Sequence, residues 1–165
     1  MRLFGVVLCA LVASLAVASE PSLTQEPFDR ELSADWHWGL GTWTAKDGVL
    51  RGYESGPRRH GPVKMRRCSL GDGIVECDFR LKGKATFAGI IFNGTQERGH
   101  IVHVVMGTDR VRIIAHPRKG EHTVLVDRPI ELPIEQWHPV RIAFKGERVT
   151  VTVGGEAITA THPCL

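Results

Sequence analysis

The sequence predicts an all-β chain, a two-sheet antiparallel β-sandwich of jelly-roll type, and three observations predict it. From Thr42 onward apolar and polar residues alternate in segments rich in Val, Ile, Thr and Phe, the pattern of strands whose successive side chains face opposite sides. No window carries apolar residues at the 3.6-residue spacing of an amphipathic helix. Clusters of Gly, Pro, Asn and Asp interrupt the segments every ~8 to 14 residues, the rhythm of sandwiches.

The N-terminus comes first. Arg2, the apolar run "LFGVVLCALVASLAVA" and the small residues "AVA" before Ser19 have the three parts of a secretory signal, so residues 1–18 are expected to be removed. Residues 19–33 read as a linker and 34–165 as the sandwich domain, with its last strand or strands lacking. The mature chain is expected to be secreted or periplasmic. Its polar continuation "SEPSLTQEPFDRE" speaks against membrane insertion, and "VVL" before Cys9 lacks the small residue of a lipid-anchor site. About 147 residues remain of the 165, enough for one domain with a core. The formal charge of +3, with cations and anions interspersed, predicts no nucleic-acid partner.

"TWTAK" and "VLRGY" flank Asp47-Gly48, a pair suited to a two-residue hairpin with positive φ at both positions. That hairpin sets Ala45 opposite Leu50 and Trp43 opposite Gly52, which favours Trp43 as a packing residue over a ligand platform. Trp36 and Trp38 stay open, because Gly39 and Gly41 break the alternation. "VKMRRC" and "IVECDFRL" flank Asp72-Gly73. A tight hairpin there faces Cys68 with Cys77 at disulfide spacing, while an open corner leaves two small buried thiols. Six further strands follow: "TFAGIIFN", "HIVHVVM", "RVRIIAH", "TVLVDR", "WHPVRIAFK" and "RVTVTVG". After Gly154-Gly155 the returning "EAITAT" is expected to form only weakly, leaving a C-terminal edge open to a partner strand.

Chemistry concentrates on "IVECDFRL". Alternation places Val75, Cys77, Phe79 and Leu81 inward and Glu76, Asp78 and Arg80 outward. Two carboxylates ~7 Å apart fall in the range of glycosidase pairs, although the same charges suit a surface salt bridge. His100 and His103 point to opposite faces of one strand and do not chelate a common ion, so no metal and no cofactor is expected. One of the two is expected to share the surface of Glu76. Asn93, at a strand end, suits either its own turn or a sugar hydroxyl. No serine-hydrolase elbow, phosphate loop or dinucleotide fingerprint occurs.

Together "GTWTAKDGVLRG", "GDGIVECDFRL", "FAGIIFN", "GHIVHVVM" and "EQWHPVRIAFKGERVTVTVGG" resemble the 3-keto-disaccharide hydrolase family, over roughly Trp36 to Ala157. The resemblance implies a laminin-G-like, concanavalin A-like sandwich of the lectin and glucanase type, with a concave face that handles carbohydrate. Glu76, Asp78, Arg80, Asn93 and His100 would lie on or beside that face. The chain departs from the family's Tyr-Glu-Val-Gln pattern at "GHIVHV", and Arg80 or Leu81 stands where glucanases carry a second glutamate. The expected function is therefore glycan binding through a polar face, with carbohydrate as partner. Arg80, Asn93, Trp36 and Trp38 are then the binding candidates. The alternative is hydrolysis of 3-keto-disaccharides, with Glu76, Asp78 and His100 as catalytic candidates.

Overall fold

The computed structural model describes residues 25–57, 60–68, 71–94 and 99–165. The expected signal segment, Cys9 and the start of the linker lie outside the described residues. Regular structure among the described residues is β-strand throughout, and every strand pairing is antiparallel. No helix is long and apolar enough to cross a membrane. The chain divides into two compact units, one ending at Cys68 and one following it.

The first unit holds β1 (Trp38–Leu40), β2 (Thr42–Lys46), β3 (Val49–Tyr53) and β4 (Val63–Met65), paired as β1 with β4 and β2 with β3. Asp47 and Gly48 adopt φ of 54° and 76°, both in the left-handed region that the two-residue hairpin requires. The register is the expected one, Ala45 opposite Leu50 and Trp43 opposite Gly52. Trp43 lies half-buried across that glycine, and its indole N–H donates to the Leu40 carbonyl at 2.8 Å. A Cβ on Gly52 would meet three ring carbons of Trp43 at 2.7 to 2.9 Å, closer than nonbonded carbons approach. Gly52→Ala is therefore expected to destabilise the hairpin by about 1–3 kcal/mol. An unchanged melting temperature would show that the ring is not held there.

The second unit is a sandwich of two four-stranded sheets. One has the order β12-β11-β10-β5, from β5 (Gly73–Phe79), β10 (His138–Lys145), β11 (Arg148–Val153) and β12 (Glu156–Thr161). The other has the order β6-β7-β8-β9, from β6 (Phe87–Asn93), β7 (His100–Gly107), β8 (Arg110–Ala115) and β9 (Thr123–Pro129). Alternation gives each sheet an apolar inner face. In the β10 sheet, Val75, Ile142, Val151 and Ile158 form one ladder row. In the β7 sheet, Ile90, Val104, Ile113 and Val126 form the corresponding row. These rows meet in a single core, where Phe92 of one sheet packs edge-on against Phe144 of the other at 4.5 Å between centroids.

Of the two alternatives at Asp72-Gly73 the structure has the open corner, and one expectation is corrected. Asp72-Gly73 does not close a hairpin onto the segment before it: β5 pairs with β10 instead, and the Asp72 carboxylate accepts the Gly146 N–H at 2.8 Å, capping the β10–β11 turn. Cys68 and Cys77 are free and exposed, neither a disulfide nor the pair of buried thiols. The returning strand after Gly154-Gly155 is not weak either, since β12 pairs with β11 across all six of its residues.

Candidate functional site

On the outer face of the β10 sheet the register brings Glu76 opposite Arg141 and Asp78 opposite Pro139. Both carboxylates are exposed, as alternation required. The Arg141 guanidinium pairs with Glu76 at 3.2 Å. Thr152 continues that row on β11. These residues, with Gly155, line a shallow groove of about 470 Å³.

One step further along both strands stand Arg80 and Trp137. Arg80 follows the last residue of β5 and Trp137 precedes the first of β10, so the antiparallel register carries them toward each other. The Arg80 guanidinium lies over the indole, 4.6 Å from its centroid. Trp137 is 46% exposed while His138, the next residue, is buried. His138 faces inward against Phe79 and bonds the Pro133 carbonyl at 2.8 Å through Nε2. The preceding loop is pinned as well: the Glu135 N–H donates to the Leu81 carbonyl at 2.8 Å, and its carboxylate accepts the Gly83 N–H at 3.1 Å. Trp137 is thus an exposed aromatic on a fixed backbone, next to Arg80, Asp78 and the Arg141–Glu76 ion pair. Such a surface offers an apolar plane and planar hydrogen-bonding groups to a polyhydroxylated ligand.

Sequence reasoning missed Trp137, whose segment entered as a strand and as part of a fold resemblance. The available signal was alternation, because inward-facing Val140 and Ile142 turn Trp137, Pro139 and Arg141 outward.

The remaining candidates of the second unit do not join this face. His100 and His103 lie on the β7 sheet, on the far side of the core, so neither shares the surface of Glu76, contrary to expectation. A register shift at Phe92/Asn93 lets the two approach one region despite their odd spacing. His100 and His116 meet edge-on at 5.4 Å between centroids, and His116 and His122 at 6.4 Å. Asn93 pairs with His100 through the backbone of β6 and β7, again on the far sheet. Trp36 and Trp38 belong to the first unit. The Trp36 indole donates to Glu26 at 3.0 Å and packs on Phe28, which ties down the segment before it, whereas Trp38 is 48% exposed.

The histidine group has a consequence for stability. Burial, reinforced by the neighbouring His116 and His100 rings, pushes His103 down to about 4, and burial with the His100 charge lowers His116. In the unfolded chain these rings titrate near about 6.5. Below that pH the unfolded state binds protons that the folded state refuses, so this stability is complete above about 6.5 and lost as pH falls toward 4. The melting temperature is expected to fall over that window, and less steeply in His103→Gln. Parallel curves for the two proteins would contradict the assignment. Among the described residues no group of three His, Cys, Asp or Glu is arranged to hold a metal ion.

No protein family and no curated protein matches the chain in sequence. Among solved structures it is similar to the carbohydrate-binding module CBM66 from Bacillus subtilis, with a TM-score of 0.59 at 17% identity, covering 74% of this chain and 76% of the module. At that identity the likeness establishes a shared β-sandwich fold.

Proposed function

We propose that this is an exported carbohydrate-binding domain whose ligand lies on the outer face of the β10 sheet. The observation that carries the reading is the clamped, exposed Trp137 beside Arg80, Asp78 and the Arg141–Glu76 pair. A pyranose presents an apolar C–H face and a ring of hydroxyls, and this surface presents an indole and both donors and acceptors. The fold shared with a carbohydrate-binding module supports the reading. A broad glycan array, probed with the wild type and Trp137→Ala, tests it: binding that disappears in the variant is the expected result, and silence of the wild type refutes it.

A second reading, hydrolysis of 3-keto-disaccharides, is favoured by one observation. Asp78 is exposed and has no ion-pair partner among the described residues, while Glu76 is held by Arg141. Oxidation at C3 acidifies the C2 proton, so elimination followed by hydration needs only one competent base, and Asp78 is the carboxylate free to act. His100, on the other sheet, would take no part. Product analysis after incubation with 3-keto-glycosides separates the readings, since unchanged substrate at high protein loading rules out cleavage.

A further inference from the structure

Resting on the glycan reading of this face, we propose that the ligand is an acidic sugar, a hexuronate whose carboxylate pairs with Arg80 while its hydroxyls donate to Asp78. Most of the described arginines of the second unit are committed to carboxylates. Arg110, Arg112, Arg118, Arg128 and Arg141 each hold a carboxylate within 4.0 Å. Among the described residues Arg148, at the start of β11, holds none, and neither does Arg80. It is instead laid over Trp137, which fixes the guanidinium plane and leaves its N–H edge available for a bidentate acceptor.

Asp78 is unused in the same way. It sits two residues from Arg80 on the same face, ~7 Å apart along the strand, yet the two do not pair, because Arg80 is turned to the indole. The Glu76 charge nearby is already neutralised by Arg141. The face therefore keeps one cation and one strong acceptor side by side against an aromatic ring, neither in an ion pair among the described residues. A neutral sugar satisfies Asp78 and leaves Arg80 without a counter-ion. A simple carboxylate satisfies Arg80 and is repelled by Asp78. A hexuronate carries the carboxylate and the hydroxyl donors in one rigid ring and satisfies both. Its planar carboxylate fits the guanidinium fork as two parallel hydrogen bonds.

Calorimetric titration of the full chain tests this. The probes are galacturonate and mannuronate trisaccharides, their methyl esters, a neutral trisaccharide and a sugar sulfate. The free acid of at least one uronate is expected to bind on the order of tenfold more tightly than its ester, with a preference that shrinks as salt rises. Arg80→Gln is expected to bring the acid-to-ester ratio close to one, and Arg80→Lys to retain part of it. Arg148→Gln, which removes a cation remote from the groove, should leave the ratio intact. Equal binding of acid, ester and neutral sugar overturns the acidic preference and leaves the glycan reading standing. Tighter binding of the sulfate overturns the carboxylate assignment. Binding of none of the sugars overturns both.

Discussion

Trp137→Ala lowers the affinity for glycan roughly ten- to thirtyfold, the loss expected when a central aromatic anchor of a binding surface is truncated. The direction follows from the geometry around the ring. The indole is 46% exposed, so its removal takes little from the core. The contact it forfeits within the protein is the Arg80 guanidinium over its face, worth about 0.5–1 kcal/mol at an exposed site. Folding stability therefore falls by about 1 kcal/mol or less while binding collapses. The pairing of those two results is informative. A variant that lost stability and affinity together would mark Trp137 as a structural residue, and one that kept full affinity would place the ligand elsewhere. Affinity by calorimetry and melting temperature on the same preparation provide both readings.

Ile142→Ala has the largest expected effect on folding, about 2–5 kcal/mol. Ile142 is 0% exposed and stands in the central ladder row, between Val75 and Val151. Truncation removes apolar contacts on both sides and leaves a cavity that two hydrogen-bonded neighbouring strands cannot collapse to fill. A domain of this size is stable by only about 5–15 kcal/mol, so the melting temperature should drop by roughly 10 °C or more. Chemical denaturation of the variant checks the figure, and a loss under about 1 kcal/mol would mean that the two sheets do not pack through this row.

What was legible in the sequence follows the range of the interaction responsible. The Asp47-Gly48 hairpin was legible down to its register, because two adjacent residues with positive φ determine which side chains face each other. The sidedness of Glu76 and Asp78 was legible too, since alternation needs only the strand itself. The Asp72-Gly73 turn was not, because the Asp72 carboxylate is claimed by an N–H 74 residues away at Gly146, and no local pattern announces that partner. Trp137 was hidden for the same reason. Its side of the strand could be read from alternation, but its meeting with Arg80 depends on β10 pairing with β5, a contact between distant segments. The two-residue period set His100 and His103 on opposite faces, but a register shift beside them brings them to one region, and neither lies near Glu76 because their strand belongs to the other sheet. Local rules recovered the strands and their faces, and the candidate site arose where distant strands joined.

Backbone and indole NMR shifts during titration with a bound glycan locate the ligand on the protein. The largest changes are expected on the Trp137 indole N–H, on Asp78, Arg80 and Arg141, and on Thr152, while β6 to β9 stay unperturbed. Changes concentrated instead on the histidines of the opposite sheet, or on Trp38, would contradict that location.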